Sequence, residues 1–282
     1  MQIRTLTAKD EAAFEAFLAW HRDSSMFLRS NARRAGLDYR GQYLGANYVA
    51  GFVAGEMVGV VGHGWNGNLL LQAPSGLDDL VQTCVRESGR AVKGLVGPLD
   101  QVRRARQLLG LSTTPTWLDA DEALFALDLD ALVVPAALSE GTLSCRRARP
   151  EEQHWVGAWR HAYSVEATNS EDSEDAKQAA MKAAAGGIAA GHWWLAFAGR
   201  EPVALAGFNA SLPDIVQLGG VYTPPELRNK GYARAAVAGC LLDARTEGVT
   251  RAVLFTENPS AAHAYEAVGF KCIGAYGLVM LK

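Results

Sequence analysis

Apolar residues in this chain fall into short runs cut by glycine and proline, and two of the runs share one pattern. Phe52-Val53-Ala54-Gly55-Glu56-Met57-Val58-Gly59-Val60-Val61-Gly62 resembles Phe197-Ala198-Gly199-Arg200-Glu201-Pro202-Val203-Ala204-Leu205-Ala206-Gly207. Each predicts a β-hairpin: an apolar strand, a turn around the glutamate, and a second apolar strand. Phe, Glu, Val and the final Gly coincide without a gap, at an offset of 145. Three further matches keep the same order. Ile3 to Glu11 and Cys145 to Glu152 each predict a short strand and an acidic first turn, followed by a helix bearing Trp or Phe. Leu71-Gln72-Ala73-Pro74 sits where Val221-Tyr222-Thr223-Pro224 sits, and Gln107 to Leu111 parallels Glu266 to Phe270. A repeated unit is the simplest source of such order. We therefore expect two copies of one α/β unit, residues 1–138 and 139–282, joined near Val134 to Gly141. Each copy should carry a mixed sheet with helices on both faces.

Length agrees, since 282 residues exceed what one core ordinarily serves. A hydrophobic fraction of 49% with 20% charged residues is that of a globular enzyme. The net charge of -3 leaves no pervasive positive field for a nucleic acid, so none is expected as a partner. The four cysteines lie far apart without a CxxC pair, and the six histidines show no HxxxH spacing. Reduced thiols in a cytoplasmic protein and no metal site follow as expectations. No apolar run is long enough to span a bilayer, so no membrane association is expected. Gly62-His63-Gly64-Trp65-Asn66-Gly67 spells the dinucleotide fingerprint, but Asn68 to Leu71 continues as a strand rather than the helix that motif requires. It is a turn.

The candidate chemistry lies between Val216 and Arg245. A strand runs to Tyr222, Thr223-Pro224-Pro225 turns the chain, and Arg228-Asn229-Lys230-Gly231 leads into an Ala-rich helix beginning Tyr232-Ala233-Arg234. Unpaired N–H groups at a helix start, the helix dipole and three cations together hold phosphate. Gly231 lets an anion approach the backbone. The first copy has Pro74-Ser75-Gly76-Leu77-Asp78-Asp79-Leu80 at the corresponding place, with acids instead of cations. Farther on, Asn258-Pro259 is an N-cap and first-turn pair, and Gly269 ends a helix of about ten residues that carries Tyr265.

These features resemble the GNAT family of acetyl-CoA-dependent N-acyltransferases. Arg228 to Ala233 fits the family's pyrophosphate signature, Gln/Arg-x-x-Gly-x-Gly/Ala. Val221-Tyr222-Thr223-Pro224 is similar to the end of its cofactor-facing fourth strand. Thr256 to Phe270 resembles its Asn-x-x-Ala-x-x-x-Tyr-x-x-x-Gly-Phe segment, apart from one residue of spacing around the alanine pair. The resemblance spans roughly Leu143 to Lys282 and implies a tandem protein. Residues 139–282 would be the catalytic N-acetyltransferase domain, and residues 1–138 a degenerate, non-catalytic copy with Arg106 where Tyr265 would stand.

It further implies acetyl-CoA as co-substrate and a splay between the fourth and fifth strands to hold it. Val221, Tyr222, Thr223, Arg228, Asn229, Lys230, Gly231, Tyr232, Ala233, Arg234 and Asn258 would contact it, and Tyr265 would reprotonate the departing thiolate. Direct attack by a neutral primary amine needs a base, for which Asp214, Glu257 and Glu166 are candidates. The acceptor would be a small-molecule or protein amine, and the protein a monomer or homodimer. The acidic run Glu171 to Asp175 reads first as a solvated loop and second as a wall attracting a cationic amine. A non-catalytic acyl-CoA sensor is the rival reading, which Tyr265 disfavours.

Overall fold

The computed structural model describes residues 1–168 and 170–282. In chain order the first elements are β1 (Gln2–Thr5), α1 (Glu11–Trp20), α2 (Met26–Ala35), β2 (Ala46–Val53), β3 (Glu56–Gly64), β4 (Asn68–Gln72), α3 (Leu77–Ser88), β5 (Gly94–Pro98), α4 (Leu99–Leu108) and β6 (Thr116–Asp128). After the short α5 (Ala136–Ser139) come β7 (Leu143–Arg147), α6 (Gln153–Thr168), α7 (Glu174–Ala189), β8 (Trp193–Ala198), β9 (Glu201–Ser211), β10 (Ile215–Tyr222), α8 (Tyr232–Thr246), β11 (Arg251–Thr256), α9 (Pro259–Glu266) and β12 (Lys271–Leu281). The series from β1 to β6 and the series from β7 to β12 have the same order of strands and helices. Among the described residues, no helix is long and apolar enough to cross a membrane.

The repeat extends to irregularities. The β2–β3 ladder steps from Gly51↔Gly59 to Phe52↔Met57, leaving Val58 as an extra residue. The β8–β9 ladder steps from Ala196↔Ala204 to Phe197↔Pro202, leaving Val203. Val58 and Val203 are separated by the same 145 residues that align the two hairpins in sequence. A bulge is a specific geometric feature, and its recurrence at the aligned position marks one unit folded twice.

Two compact units form, Met1–Leu124 with Gly274–Lys282, and Phe125–Ile273. Their limits differ from the repeat boundary expected at 138/139. The reason is strand placement: Tyr276 to Met280 of β12 pairs antiparallel with Gly94 to Pro98 of β5, so the last strand of the second copy is built into the first unit. Conversely, the end of β6 belongs to the second unit.

In the first unit the strands run β1-β2-β3-β4-β5-β12 and then β6, with β4 and β5 parallel. Its core joins Val49, Val61, Leu69, Leu71, Leu80, Val81, Leu95 and Val102 from both sheet and helices. In the second unit the end of β6 is followed by β11-β10-β9-β8-β7, with β10 and β11 parallel. There, α6 and α7 cover Trp193, Leu195, Leu205 and Tyr222 with Val156, Trp159, Ala184 and Ile188. Both units are mixed α/β.

His63 shows what burial does in the first unit. Its ring is fully buried, with Nδ1 2.6 Å from Ser88 Oγ and Nε2 3.2 Å from the Gly67 carbonyl oxygen. Desolvation first, and the Arg90 guanidinium second, lower its pKa to about 4. The unfolded chain therefore binds a proton at higher pH than the folded one, near 6.5, and stability is lost as pH falls below that value. Urea midpoints measured from pH 6.5 down to 5 should decline, and His63→Gln should flatten most of that slope. An unchanged slope in the variant would remove His63 as its source.

Candidate functional site

The second unit is shaped by a break in its strand pairing. β10 and β11 pair at Ile215↔Arg251, Val216↔Ala252 and Gln217↔Val253, after which β10 continues to Tyr222 outside that ladder. On its other side, β10 pairs with β9 at Gly219↔Gly207 and next at Tyr222↔Leu205. Gly220 and Val221 thus stand against the single residue Ala206. Gly220 has φ 61°, so this is a bulge with a left-handed glycine in its first position. A Cβ on Gly220 would overlap Nη1 of Arg160 and press on the Trp193 ring at 3.0 Å. Only glycine fits. The bulge leaves Val221 out of the regular ladder, at the edge that β10 turns away from β11.

Past the strand, Pro224 opens a single 3₁₀ turn over Pro225–Leu227. Asn229 follows with φ 63° and Gly231 with φ 79°, Gly231 being the N-cap of α8. Two left-handed residues this close together curl the backbone into a concavity of N–H groups at the helix start. Arg228, Asn229, Lys230 and Arg234 are exposed around it. Glycine's freedom matters at this cap, and a Cβ there would meet Arg234 Nη2 at 3.3 Å.

Arg228 is held by its neighbours. Its Nε donates to the Thr223 carbonyl oxygen at 3.0 Å, and its Nη2 lies 2.6 Å from Glu166 Oε2 on α6. Its guanidinium carbon stands 5.8 Å from the centre of the Tyr222 ring. The hydrogen bond to Glu166 raises the Arg228 pKa, so the cation is fixed. Burial, with Glu166 next, raises that of Tyr222. The Glu166 pair is half exposed and contributes about 0 to 1 kcal/mol. Lys230 Nζ reaches the Glu226 carbonyl oxygen at 3.4 Å. Thr223 Oγ1 is buried with no hydrogen-bond partner among the described residues.

Asn258 caps α9, accepting from the N–H groups of Ser260 at 2.9 Å and Ala261 at 3.2 Å. Such a cap is worth about 1 kcal/mol, and it already occupies the side-chain oxygen. Tyr265 lies half-buried in the last turn of α9, with its ring edge-on to Phe270 at 5.9 Å. Among the expected bases, Asp214 precedes β10 at the end opposite the bulge, roughly 23 Å from Val221 at the usual strand rise. Glu257 is exposed just beyond β11, and Glu166 is engaged by Arg228. The acidic run is partly spent: Asp172 binds His161 at 2.8 Å and Lys177 at 3.7 Å, while Ser173 caps α7.

Sequence reading passed over Arg160, which the fold brings to the bulge from α6. Its guanidinium carbon lies 4.8 Å from the Trp193 ring centre and 5.3 Å from that of Tyr163. An isolated arginine in a helix gives no signal, but the Gly219-Gly220 pair in an otherwise apolar strand could have pointed to a close approach.

The corresponding places in the first unit are built differently. β4 pairs with β3 in regular register from Asn68's neighbour Leu69 through Gln72, without a bulge. The Ala73 N–H, which matches that of Thr223, is taken by Gln101 Oε1 at 2.7 Å. Gly76 caps α3 with φ 70°, as Gly231 caps α8, but the Met1 side chain lies over it. Asp78 in the first turn of α3 is paired with Arg104. Arg103 and Arg106 are likewise paired, with Asp121 and Asp119.

Comparison with known proteins agrees with this geometry. The acetyltransferase (GNAT) family model matches residues 151–270, which include the bulge, the α8 cap and α9. No curated protein sequence matches the chain. Solved structures similar to its whole length include a GNAT-family acetyltransferase from Colwellia psychrerythraea, 15% identical, covering 100% of both chains with a TM-score of 0.56. A Drosophila protein is 12% identical over 99% of this chain and 98% of its own, with a TM-score of 0.69. A tandem GNAT protein from the clavulanic acid biosynthesis pathway is 12% identical over 99% and 97%, with a TM-score of 0.53. At such identities the likeness is one of fold. The family model itself matches residues 151–270, within the second unit.

Proposed function

We propose that the second unit transfers an acetyl group from acetyl-CoA to a primary amine by direct attack within a ternary complex. The observation that carries this reading is the asymmetry between two copies of one fold. Among the described residues, only the second has a bulged fourth strand and a cationic helix start in one place. The first has a regular strand, a side chain bound at the matching amide and a covered, acidic helix start. We read the first as a non-catalytic copy and keep 138/139 as the boundary between the repeats.

The residues suit the co-substrate. The N–H concavity at Asn229 to Ala233 with Arg228, Lys230 and Arg234 would bind the pyrophosphate. Tyr232 would begin the helix that carries the dipole. Backbone groups of Val221, Tyr222 and Thr223 would bind the pantetheine as an added strand, and the free Thr223 Oγ1 would find a partner there. Asn258 would flank it through its cap. Acetyl-CoA supplies an activated acyl group as a thioester. The Val221 N–H, at the bulge, would donate to the thioester oxygen, a contribution of about 3 to 4 kcal/mol in enzymes with such donors. The Tyr265 hydroxyl would return a proton to the leaving sulfur. The attacking amine must be neutral, and a water chain reaching Glu166 or Glu257 would remove its proton.

Titration calorimetry should find one acetyl-CoA site per chain. Arg228→Glu with Lys230→Glu should weaken binding about 100-fold or more, since two charge-assisted contacts become repulsive. Two equivalent sites, or unchanged affinity in the double variant, would overturn the placement.

Tyr265→Phe should lower turnover about 100-fold while leaving acetyl-CoA affinity within a few-fold. Turnover equal to that of the unaltered protein would remove Tyr265 as the acid.

A further inference from the structure

Arg160 sits in the second unit as a cation with no carboxylate partner among the described residues. It projects from α6 onto the backbone of the bulge, where its Nη1 fills the space a Cβ of residue 220 would need. Its guanidinium lies between the rings of Trp193 and Tyr163, at 4.8 and 5.3 Å. Burial lowers its pKa, and no carboxylate is near enough to offset that; the one electrostatic neighbour is Tyr163. Among the described residues it has no hydrogen-bonded acid, whereas Arg228 holds Glu166 and Arg146 holds Glu152. Glu166, on the same helix, is already engaged by Arg228.

Arg160 is partly buried, and a partly desolvated guanidinium carries a cost that an anion would offset. Stacking on two aromatic faces offsets part of that cost and fixes the plane of the fork, with its remaining N–H groups free to take a planar anion. Trp193 presents its ring face to this cation while its Nε1 edge is turned to Gly187 of α7. The arrangement suits a carboxylate, and it touches the residue next to Val221.

We propose that Arg160 docks a carboxylate carried by the substrate, beside the bulge at which acyl transfer takes place. This rests on the acyl-transfer reading and deepens it: the acceptor is an amine that also bears a carboxylate, as an amino acid does. The same chemistry could reach Arg160 from the other substrate, as a carboxylate ending the acyl arm of a dicarboxylic acyl-CoA. Either way the substrate brings the charge that the protein lacks. The acidic run at 171–175 has its own partners in His161, Lys177 and the α7 start, so it does not call for a cationic substrate.

The test is thiol release by the full chain with matched substrate pairs. In one arm, amino acids are compared with the amines lacking their carboxylate, using acetyl-CoA. In the other, succinyl-CoA is compared with acetyl-CoA on one neutral amine. The unaltered protein should prefer the carboxylate member of one arm by about 10- to 100-fold in kcat/KM, the range of a charge-assisted contact. Arg160→Met, which keeps the length and apolar packing, should collapse that ratio towards one. Arg160→Lys should leave an intermediate ratio, because it keeps the charge without the fork. A ratio within a pair does not depend on how much of a variant folds.

No preference in either arm, or a ratio that survives Arg160→Met, overturns the Arg160 site and leaves acyl transfer intact. Absence of thiol release in every arm instead overturns the acyl-transfer reading. Calorimetry of the same amino acids in the presence of coenzyme A then decides Arg160. Binding by the unaltered protein but not by Arg160→Met upholds it, and equal or absent binding overturns it.

Discussion

Pairing between β10 and β11 stops after Gln217 and Val253, and the features of the second unit's site follow from that stop. Had the ladder continued, the backbone of Val221 to Thr223 would be spent on β11. Instead β10 continues past that ladder, with a bulge at Gly220 on its β9 side. The bulge depends on a left-handed residue that has no Cβ, because Arg160 and Trp193 occupy the space beside it. One glycine therefore serves two ends. It breaks the register and lets a cation from α6 approach the strand.

Charge is then distributed in two ways around this edge. At the α8 start the cations are exposed, and Arg228 is held in place by Glu166 and the Thr223 carbonyl. They are accessible to a large polyanion. At the bulge the cation is partly buried and stacked, with no hydrogen-bonded acid among the described residues, a setting for one small planar group. The first unit shows the same scaffold without this division. Asp78 replaces a cation with an acid already paired, and Gln101 supplies from within the chain the acceptor that a ligand would offer to Ala73. Such internal satisfaction favours stability over binding, since the Ala73 donor is not left waiting.

Much of the scaffold was legible in the sequence because repeats and turns leave marks that do not depend on tertiary context. The offset of 145 between the hairpins returned as matching bulges at Val58 and Val203. Gly231 and the Asn258-Pro259 pair read correctly as helix starts, since capping is local chemistry. What was not legible depended on long-range packing. The insertion of β12 beside β5 moved nine residues into the first unit, and nothing in that strand's own pattern says which sheet receives it. Arg160 carries no sequence mark, because its isolation is defined by the absence of acids from elements distant in the chain. Asp214 looked close to the site by number, yet a strand's length carries it to the opposite end.

The central claim is that one of two like units holds acyl-CoA, along the edge that β10 turns away from β11. Amide hydrogen exchange, followed with and without saturating acetyl-CoA, tests it most directly. Slowed exchange should fall on Val221 to Thr223 and on Asn229 to Ala233, with residues 71–79 of the first unit unaffected. Slowing at 71–79, or slowing spread evenly over both units, would contradict the account.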